Sequence, residues 1–590
     1  MAHTGPTGSS APAVVFLDRD GTITRERGIV NDPCLLEFER GAISAIHQLN
    51  ALSIPVFVIT NQPGIAKGTI TDYAAICERF ADMLEEEHLT VDGVYTCPHA
   101  EQDACDCRKP KTALITRALE EHHLSPERIY AVGDRLHDAV VAQRLGGTGI
   151  LVCTGYGEAT LNDEMPTGSL ADIIVADDLE DAARRIVLME REAGRNLLPE
   201  PQYRWPEVTG AMESRVLHQL RSSVSIRNNT GYIEQLERLW AERTQRRYAI
   251  AYSSGTMALF AAFAAAGIRE GDEVIAPAYG YFATASPALM CGARIRFVDV
   301  DESGNSSPQA IREAVGEKTK AIVIAHLYGA LADYPSIREI ADENGLTIIE
   351  DASHALGAAN KTCKAGSCGD VTVFSLQANK LAPAGEGGML LTDDVEIAKR
   401  ASTVGHFRQY SQLYFNEEDE LFPYLTTGMG LKLRMHPLAA AIGIESLAEL
   451  DGIRTGRLEC ARKMMELLSQ HAFTTTAPLD ELSLYNLPLL LPKHCVGQAN
   501  RIVQAMRAAG LTCDFNHNSN TVMPRLPLFQ TPNPYYPRSE ETLPGSYPMA
   551  EALEDRIFLL PLWHREYEHV IGMAYAEGLC QAVEAIENLG

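Results

Sequence analysis

Leu346-Thr347-Ile348-Ile349-Glu350-Asp351-Ala352-Ser353-His354 is a short apolar, β-branched run that stops on carboxylates and a histidine. A continuous apolar run of this length reads as a strand covered on both faces. Similar runs precede it at Glu273–Ala276, Ile295–Asp299 and Ala321–Ala325, separated by helical stretches. Further toward the N-terminus the pattern repeats at Ala13–Leu17, Ile54–Ile59, Ile129–Gly133 and Gly149–Cys153, with helix patterns at about 41–52 and 179–192. Strands alternating with helices predict an α/β class with parallel, doubly wound sheets, whose ligands bind at the carboxyl ends of the strands.

A chain of 590 residues is too long for one hydrophobic core. Residues 1–11 read as a disordered polar tail, 12–192 as a first domain and 193–205, with Pro199 and Pro201 and Pro206 just beyond, as a linker. Residues 206–590 read as a second domain ending in a smaller α+β subdomain from about 486 to 590. The formal net charge of -27 argues against nucleic-acid and anionic-membrane partners, which need a basic footprint. The start of the chain has no basic or apolar targeting region, and the most apolar stretch, Tyr248–Ile268, is interrupted at Ser253-Ser254-Gly255-Thr256. Thirteen scattered cysteines do not form a disulfide framework, so a reducing cytoplasm is the expected setting.

Asp18-Arg19-Asp20-Gly21-Thr22 follows the first strand directly. Two carboxylates one residue apart at a strand end can serve as nucleophile and general acid/base while sharing a divalent cation. Thr60-Asn61, closing the second strand, offers a hydroxyl and backbone N–H groups to a phosphoryl group, and Lys109 can neutralise its charge. Asp134 and Asp138 add carboxylates suited to a hard ion such as Mg²⁺. Cys97, His99, Cys105 and Cys107 have the count and spacing of a closed tetrahedral zinc site, which makes that zinc structural.

These elements, in this order, resemble the haloacid dehalogenase (HAD) phosphatases over about 13–192, and CPHAEQDACDCRKPK looks like the zinc loop of their histidinol-phosphate and heptose-bisphosphate branch. The resemblance implies a HAD-like Rossmannoid domain in which Asp18 attacks phosphorus and Asp20 protonates the leaving oxygen. It implies that Thr60 and Lys109 hold the phosphoryl group and that Mg²⁺ sits at Asp18, Asp20 and Asp134. The zinc would fix the loop that delivers Arg108 and Lys109.

In the second domain, Ser253-Ser254-Gly255-Thr256 before an alanine-rich helix pattern is suited to a cofactor phosphate. Asp351, at a strand end, can pair with a protonated pyridine nitrogen. Lys380, ahead of Gly385-Glu386-Gly387-Gly388, can approach such a ring and form a Schiff base.

SSGTMAL, PAYGYFATA, AHLYG, EDASHALGA, FSLQANKLAPAGEGG and GMGLKLRMHPLAAAIG follow the order of the DegT/DnrJ/EryC1/StrS sugar aminotransferases. That resemblance spans about 205–590 and implies a fold type I enzyme of pyridoxal phosphate (PLP). Lys380 would carry the cofactor and shuttle the proton, and Asp351 would pair with the pyridine nitrogen. Tyr281 would stack on the ring, His354 would sit by its phenolic oxygen, and Gly255, Thr256 and Ser375 would hold its phosphate. Lysine at position 380, where the dehydratase branch has histidine, favours transamination. The family's G-x-N-x-R-M loop, which reaches the neighbouring subunit of a homodimer, reads Gly430-Leu431-Lys432-Leu433-Arg434-Met435. Lys432 in place of asparagine can bind the phosphate of cofactor or substrate as a point charge, or be solvated.

The combined expectation is a bifunctional biosynthetic enzyme. It would aminate a phosphorylated keto-sugar or keto-cyclitol, with glutamate or glutamine as donor, and then hydrolyse the phosphate, Lys432 and Arg434 serving as handles for it. Two rivals stand beside it: an aminotransferase with a non-catalytic HAD scaffold, and a histidinol-phosphate aminotransferase/phosphatase pair.

Overall fold

The structure, a computed structural model, describes residues 13–163, 173–192, 205–224, 231–406, 415–511, 520–530, 533–536 and 545–587. The expected tail at 1–11 and all of the expected linker except Trp205 lie outside the described residues. The chain divides into two compact units, Met1–Tyr203 and Arg204–Gly590.

The first unit is built on six parallel strands: β1 (Val14–Leu17), β2 (Val56–Asn61), β3 (Gly93–Cys97), β4 (Ile129–Gly133), β5 (Thr148–Val152) and β6 (Ile174–Ala176), in the order β3-β2-β1-β4-β5-β6. All four residues of β1 are buried because the strand is covered on both faces. Val15 and Leu17 pack with Ala45, Ile46 and Leu49 of helix Ala42–Ala51 and with Ile186 of helix Leu179–Glu192. Val14 and Phe16 face the opposite layer, with Leu114, Ile115 and Val141. A period of two thus divides one apolar run between two helical layers. The chain winds to either side of β1, so a crevice opens at the carboxyl ends of β1 and β4.

The second unit holds a seven-stranded sheet of β7 (Tyr248–Tyr252), β8 (Glu273–Pro277), β10 (Arg294–Val298), β11 (Thr319–Ala325), β12 (Thr347–Asp351), β13 (Val371–Ser375) and β14 (Gly388–Thr392). Its order is β10-β8-β11-β12-β13-β14-β7, and β14 is antiparallel to both neighbours while the other pairs are parallel. Helix Gly255–Ala265 is apolar on nearly every side because it is sunk into the core against Val323, Ile349 and Val373. Helix Tyr334–Asn344 covers the other face through Ile337 and Ile340, against Ile275, Ile322 and Ile348.

Helix Pro437–Leu468 then leads to a small antiparallel sheet of β15 (Thr474–Thr475), β16 (Leu487–Leu490) and β18 (Ile557–Leu560). That sheet begins at Thr474, before the expected boundary at about 486, and the chain beyond 486 is not a separate layer. β17 (Thr521–Val522) pairs back with β9 (Tyr279–Gly280), and Met523, Phe529 and Leu553 join the large core. No helix among the described residues is long and apolar enough to cross a membrane.

Candidate active sites

In the first unit Asp18 follows β1, Asp134 follows β4, and Asp138 lies in the first turn of helix Leu136–Gln143, its carboxylate accepting the N–H of Arg135 (3.1 Å). Their ligand atoms lie within 4.8 Å of one another, and all three residues are buried. Lys109, also buried, donates to Asp18, to the carbonyl of Ile59 (2.7 Å) and pairs with Asp138 Oδ1 (2.7 Å). Fully ionised, three carboxylates against one ammonium would leave two negative charges out of water, a burden that favours protonation unless a cation is bound.

Burial raises Asp18 well above the usual carboxylate range; Lys109 opposes the rise, and Asp138, Asp134 and Asp20 reinforce it. Burial and Asp138 push Asp134 up to about 7. Burial works against the charge of Lys109, but Asp138 and Asp18 outweigh it and hold the ammonium above its usual range. Oxygen ligands with a surplus of two charges fit a hard divalent cation such as Mg²⁺.

Asp20, expected at the metal, is placed outside this cluster. The chain turns after Arg19, and the Asp20 carboxylate accepts from Arg19 Nη2 (2.8 Å), Gln62 Nε2 (2.6 Å) and Thr24 Oγ1 (3.2 Å). Gln62, which sequence reading did not single out, also donates to Thr60 Oγ1 (2.9 Å) and so joins the expected acid to the expected phosphate-binding hydroxyl. The Asn61 side chain accepts from the Lys109 N–H (3.1 Å) and donates to its carbonyl (3.4 Å). It holds the lysine loop against β2, which leaves only its backbone for a phosphoryl group. Arg108 donates to the carbonyl of His99 (3.5 Å).

The four zinc-type ligands converge as expected. Cys97 Sγ lies 3.6 Å from Cys105 Sγ, 3.2 Å from Cys107 Sγ and 3.8 Å from His99 Nδ1, while Cys107 Sγ lies 3.5 Å from Cys105 Sγ and 3.2 Å from His99 Nδ1. Metal–ligand bonds of about 2.0–2.3 Å give tetrahedral edges of roughly 3.3–3.8 Å. The sulfurs are too far apart for a disulfide. The set fits zinc with no open position, and Cys97 fastens it to the last residue of β3.

In the second unit Asp351 ends β12, where Oδ2 accepts from Thr284 Oγ1 (2.7 Å) and Oδ1 from the Ser353 N–H (3.1 Å). Lys380 lies on the connection between β13 and β14. Burial lowers its amine to about 8, with Asp351 acting in the opposite direction, and it makes no ion pair among the described residues. Burial, and then the charge of Lys380, hold His354 well below the usual histidine range, so the imidazole is neutral at neutral pH. Its ring lies 4.9 Å from that of Tyr485 and 6.3 Å from that of Tyr328.

Ser254 caps helix Gly255–Ala265 by accepting from the Met257 N–H (3.2 Å). A Cβ on Gly255 would stand 2.9 Å from Ser375 Cβ, so only glycine lets the helix start lie against the end of β13. Gly255 and Thr256 thus open a helix beside the end of β13 at Ser375, an arrangement suited to a phosphate dianion. Tyr281 presents an open ring, 41% exposed and 4.4 Å from that of Phe282. A desolvated lysine, a braced carboxylate and an anion cradle together fit PLP.

The segment carrying Lys432 and Arg434 is anchored on its own β7: the Ser253 N–H donates to the Leu433 carbonyl (2.7 Å), and Arg434 bridges to Tyr252. Lys432 is exposed. Behind Asp351, Glu350 points to the other face of β12. It accepts from His326 Nε2 (2.9 Å), Thr372 Oγ1 (2.6 Å) and the N–H groups of Gly366, Cys368 and Gly369 (2.8, 2.9 and 2.9 Å). Burial alone would raise Glu350, but these bonds hold it to about 2. His326 Nδ1 accepts from the Ala332 N–H (3.1 Å), which leaves Nε2 to carry a proton toward Glu350. His326, Glu350 and Cys368 are therefore a saturated hydrogen-bond network and not a metal centre. Sequence reading missed this network, Thr284 and Tyr485.

The mixed seven-stranded sheet, a lysine beyond β13 and a carboxylate ending β12 define the fold type I class of PLP enzymes. A 3-amino-5-hydroxybenzoic acid synthase has the same fold, with TM-score 0.57 and 24% identity over 66% of this chain and 100% of that one. The model of the DegT/DnrJ/EryC1/StrS aminotransferase family matches residues 209–571, and the chain belongs to that family. An L-glutamine:scyllo-inosose aminotransferase of Streptomyces griseus is 31% identical over 62% of this chain and 86% of its own. A GDP-perosamine synthase of Vibrio cholerae is 34% identical over 42% of this chain, and the match spans 66% of that protein's length. In the first unit a model of HAD-hydrolase-like proteins matches residues 106–182, which include Lys109, Asp134 and Asp138 but not Asp18 or Asp20.

Proposed function

We propose that the chain joins two reactions of one biosynthetic route, amine transfer to a keto-sugar or keto-cyclitol and hydrolysis of a phosphate monoester. The observations that carry this reading are a buried Lys380 that feels the charge of Asp351 and a helix start at Gly255 lying against Ser375, beside a relative whose name specifies a cyclitol ketone and L-glutamine.

PLP held there supplies an electron sink for the carbon that loses or gains the amine. Lys380 Nζ, lowered to about 8, is a base that can move a proton at that carbon near neutral pH. Asp351, braced by Thr284, would pair with the pyridine nitrogen of PLP, and neutral His354 would orient the cofactor without adding charge. Glutamine or glutamate is the donor, and a homodimer completes the site.

In the first unit Asp18 is the nucleophile toward phosphorus. Asp20, oriented by Arg19 and Gln62, protonates the leaving oxygen, and Lys109 offsets charge on the transferring group. Mg²⁺ at Asp18, Asp134 and Asp138 would balance the two surplus charges, and zinc at Cys97, His99, Cys105 and Cys107 would fix the Lys109 loop. Irreversible hydrolysis placed second draws the reversible amination forward.

The test incubates the full-length protein with PLP, Mg²⁺, glutamine or glutamate and a panel of keto-cyclitols and keto-sugars, each free and phosphorylated, with products read by mass spectrometry. The expected result is an aminated, dephosphorylated product, with the phosphorylated amine as intermediate. Amination of free ketones only would overturn the order, and amination without phosphate release from any ester would reduce the first unit to a scaffold.

A further inference from the structure

Lys380 sits on an irregular connection between β13 and β14, and no ladder of backbone hydrogen bonds fixes its place. Its N–H donates to the carbonyl of Gln377 (2.9 Å). Its own carbonyl accepts from Trp205 Nε1 (3.2 Å), a residue 175 positions away at the very start of the second unit. Trp205 packs against the cluster that contains Leu381 and Ala382, the residues that follow the lysine.

The indole is itself held. The guanidinium of Arg457 lies over the ring, 4.1 Å from its centroid, and Arg457 is fully buried on helix Pro437–Leu468. Arg457 Nη1 donates to the carbonyl of Tyr485 (2.7 Å). The ring of Tyr485 then returns to the lysine, with its centroid 5.4 Å from Lys380 Nζ. The circuit grips Lys380 at both ends, by its carbonyl through Trp205 and by its amine through Tyr485. The neighbouring chain is pinned as well, since Glu207 pairs with Arg565 (3.0 Å).

We propose that Trp205 is a positioning residue for amine transfer: its indole N–H and its stacking with Arg457 set the backbone of the Lys380 loop, and through it the depth at which the lysine amine is held. The proposal rests on reading Lys380 as the cofactor-bearing lysine. The segment that enters the second unit is thereby part of that unit's active centre and not a passive tether. A shift of an ångström in a reacting group is enough to cost large factors in rate, so loss of one anchoring hydrogen bond is kinetically visible.

The test uses Trp205→Phe in the full-length protein, which keeps a ring beneath Arg457 and removes the N–H, together with Trp205→Ala. The first readout is the pH dependence of Lys380 acylation in protein freed of cofactor, followed by peptide mass spectrometry. The expected result is an upward shift of the Lys380 midpoint by about half a unit or more in Trp205→Phe, as the loop loosens and water reaches the amine. The second readout is steady-state amine transfer, where kcat should fall about five- to tenfold with KM changed less than about twofold. A Trp205→Phe protein with the native Lys380 midpoint and native kcat overturns the proposal. Should Trp205→Ala fail to fold, the phenylalanine variant carries the test. If the native protein transfers no amine to any ketone, the functional reading fails while the acylation midpoint still decides the role of Trp205.

Discussion

Both units place their chemistry at the carboxyl ends of parallel strands, yet they treat charge in opposite ways. In the first unit Lys109 pairs with Asp18 and Asp138, Asp134 stands beside them, and the fully ionised cluster would carry two negative charges in excess. In the second, Lys380 and Asp351 are held apart, each with its own surroundings: aromatic rings near the amine, and Thr284 with a backbone N–H on the carboxylate. A crowded, over-charged crevice suits a cation and a transferring phosphoryl group. A lysine and a carboxylate that form no ion pair with each other suit a cofactor that lies between them. The shared strand geometry decides where each site is, and the spacing of its charges decides what it does.

The sharpest way to break this comparison is to remove the lysine. Lys380→Ala should lower amine transfer by about 10⁴-fold or more while phosphate hydrolysis stays within about twofold. A parallel loss of hydrolysis, measured on the same preparation, would mean that the two centres are not independent. Asp18→Asn should do the converse, cutting hydrolysis by about 10³-fold and leaving cofactor absorbance unchanged. Next in size is the metal loop. Native protein should contain one zinc per chain by elemental analysis, and Cys105→Ser should lose it and lower the melting point of the first unit by roughly 10 °C. The second unit's transition should not move.

Two smaller effects sharpen the contrast. The folded-state amine of Lys380 lies below its unfolded value of 10.5, at about 8, so the unfolded chain binds more protons between those pH values. Stability of the cofactor-free second unit should gain from this group as pH rises from about 8 to 10.5, and Lys380→Met should remove that gain. Comparing denaturant midpoints of the two proteins across that range isolates it from the rest of the titration. Thr284→Val, which takes one hydrogen bond from Asp351, should reduce amine transfer by about fivefold.

Several strands covered on both faces were legible, although β13 and β14, equally buried, were not. β1, β4, β11 and β12 stand within a residue or two of the apolar runs that foretold them, because full burial removes polar residues from both sides. β3 and β6 went unread, since they are edge strands with half-exposed residues and little apolar contrast. Ligands close in sequence were also legible: Cys97, His99, Cys105 and Cys107 carry their geometry in their spacing. The partners of those groups were not. Thr284 lies 67 positions from Asp351, Gln62 lies 42 from Asp20, and Trp205 lies 175 from Lys380. Each is an ordinary residue type whose role exists only once the sheet has brought distant segments together. Asp20 shows the same limit in reverse: DxDGT spacing reads as two metal carboxylates, and the turn after Arg19 sends one of them to Gln62.

The antiparallel strand β14 has a consequence for how the second unit assembles. Its pairing with β13 closes a short hairpin that already contains Lys380, so that loop can form from neighbouring chain. Its other partner is β7, with Gly388 opposite Tyr252, and this contact spans more than a hundred residues of intervening sheet. Ser254 and Gly255 lie directly against Gly388, too close for any side chain there. The phosphate cradle therefore comes into being only with the most distant pairing of the seven-stranded sheet, which chain-closure entropy makes slow. During refolding, capture of the cofactor should be a late event, and its yellow colour a clock for the completion of the sheet.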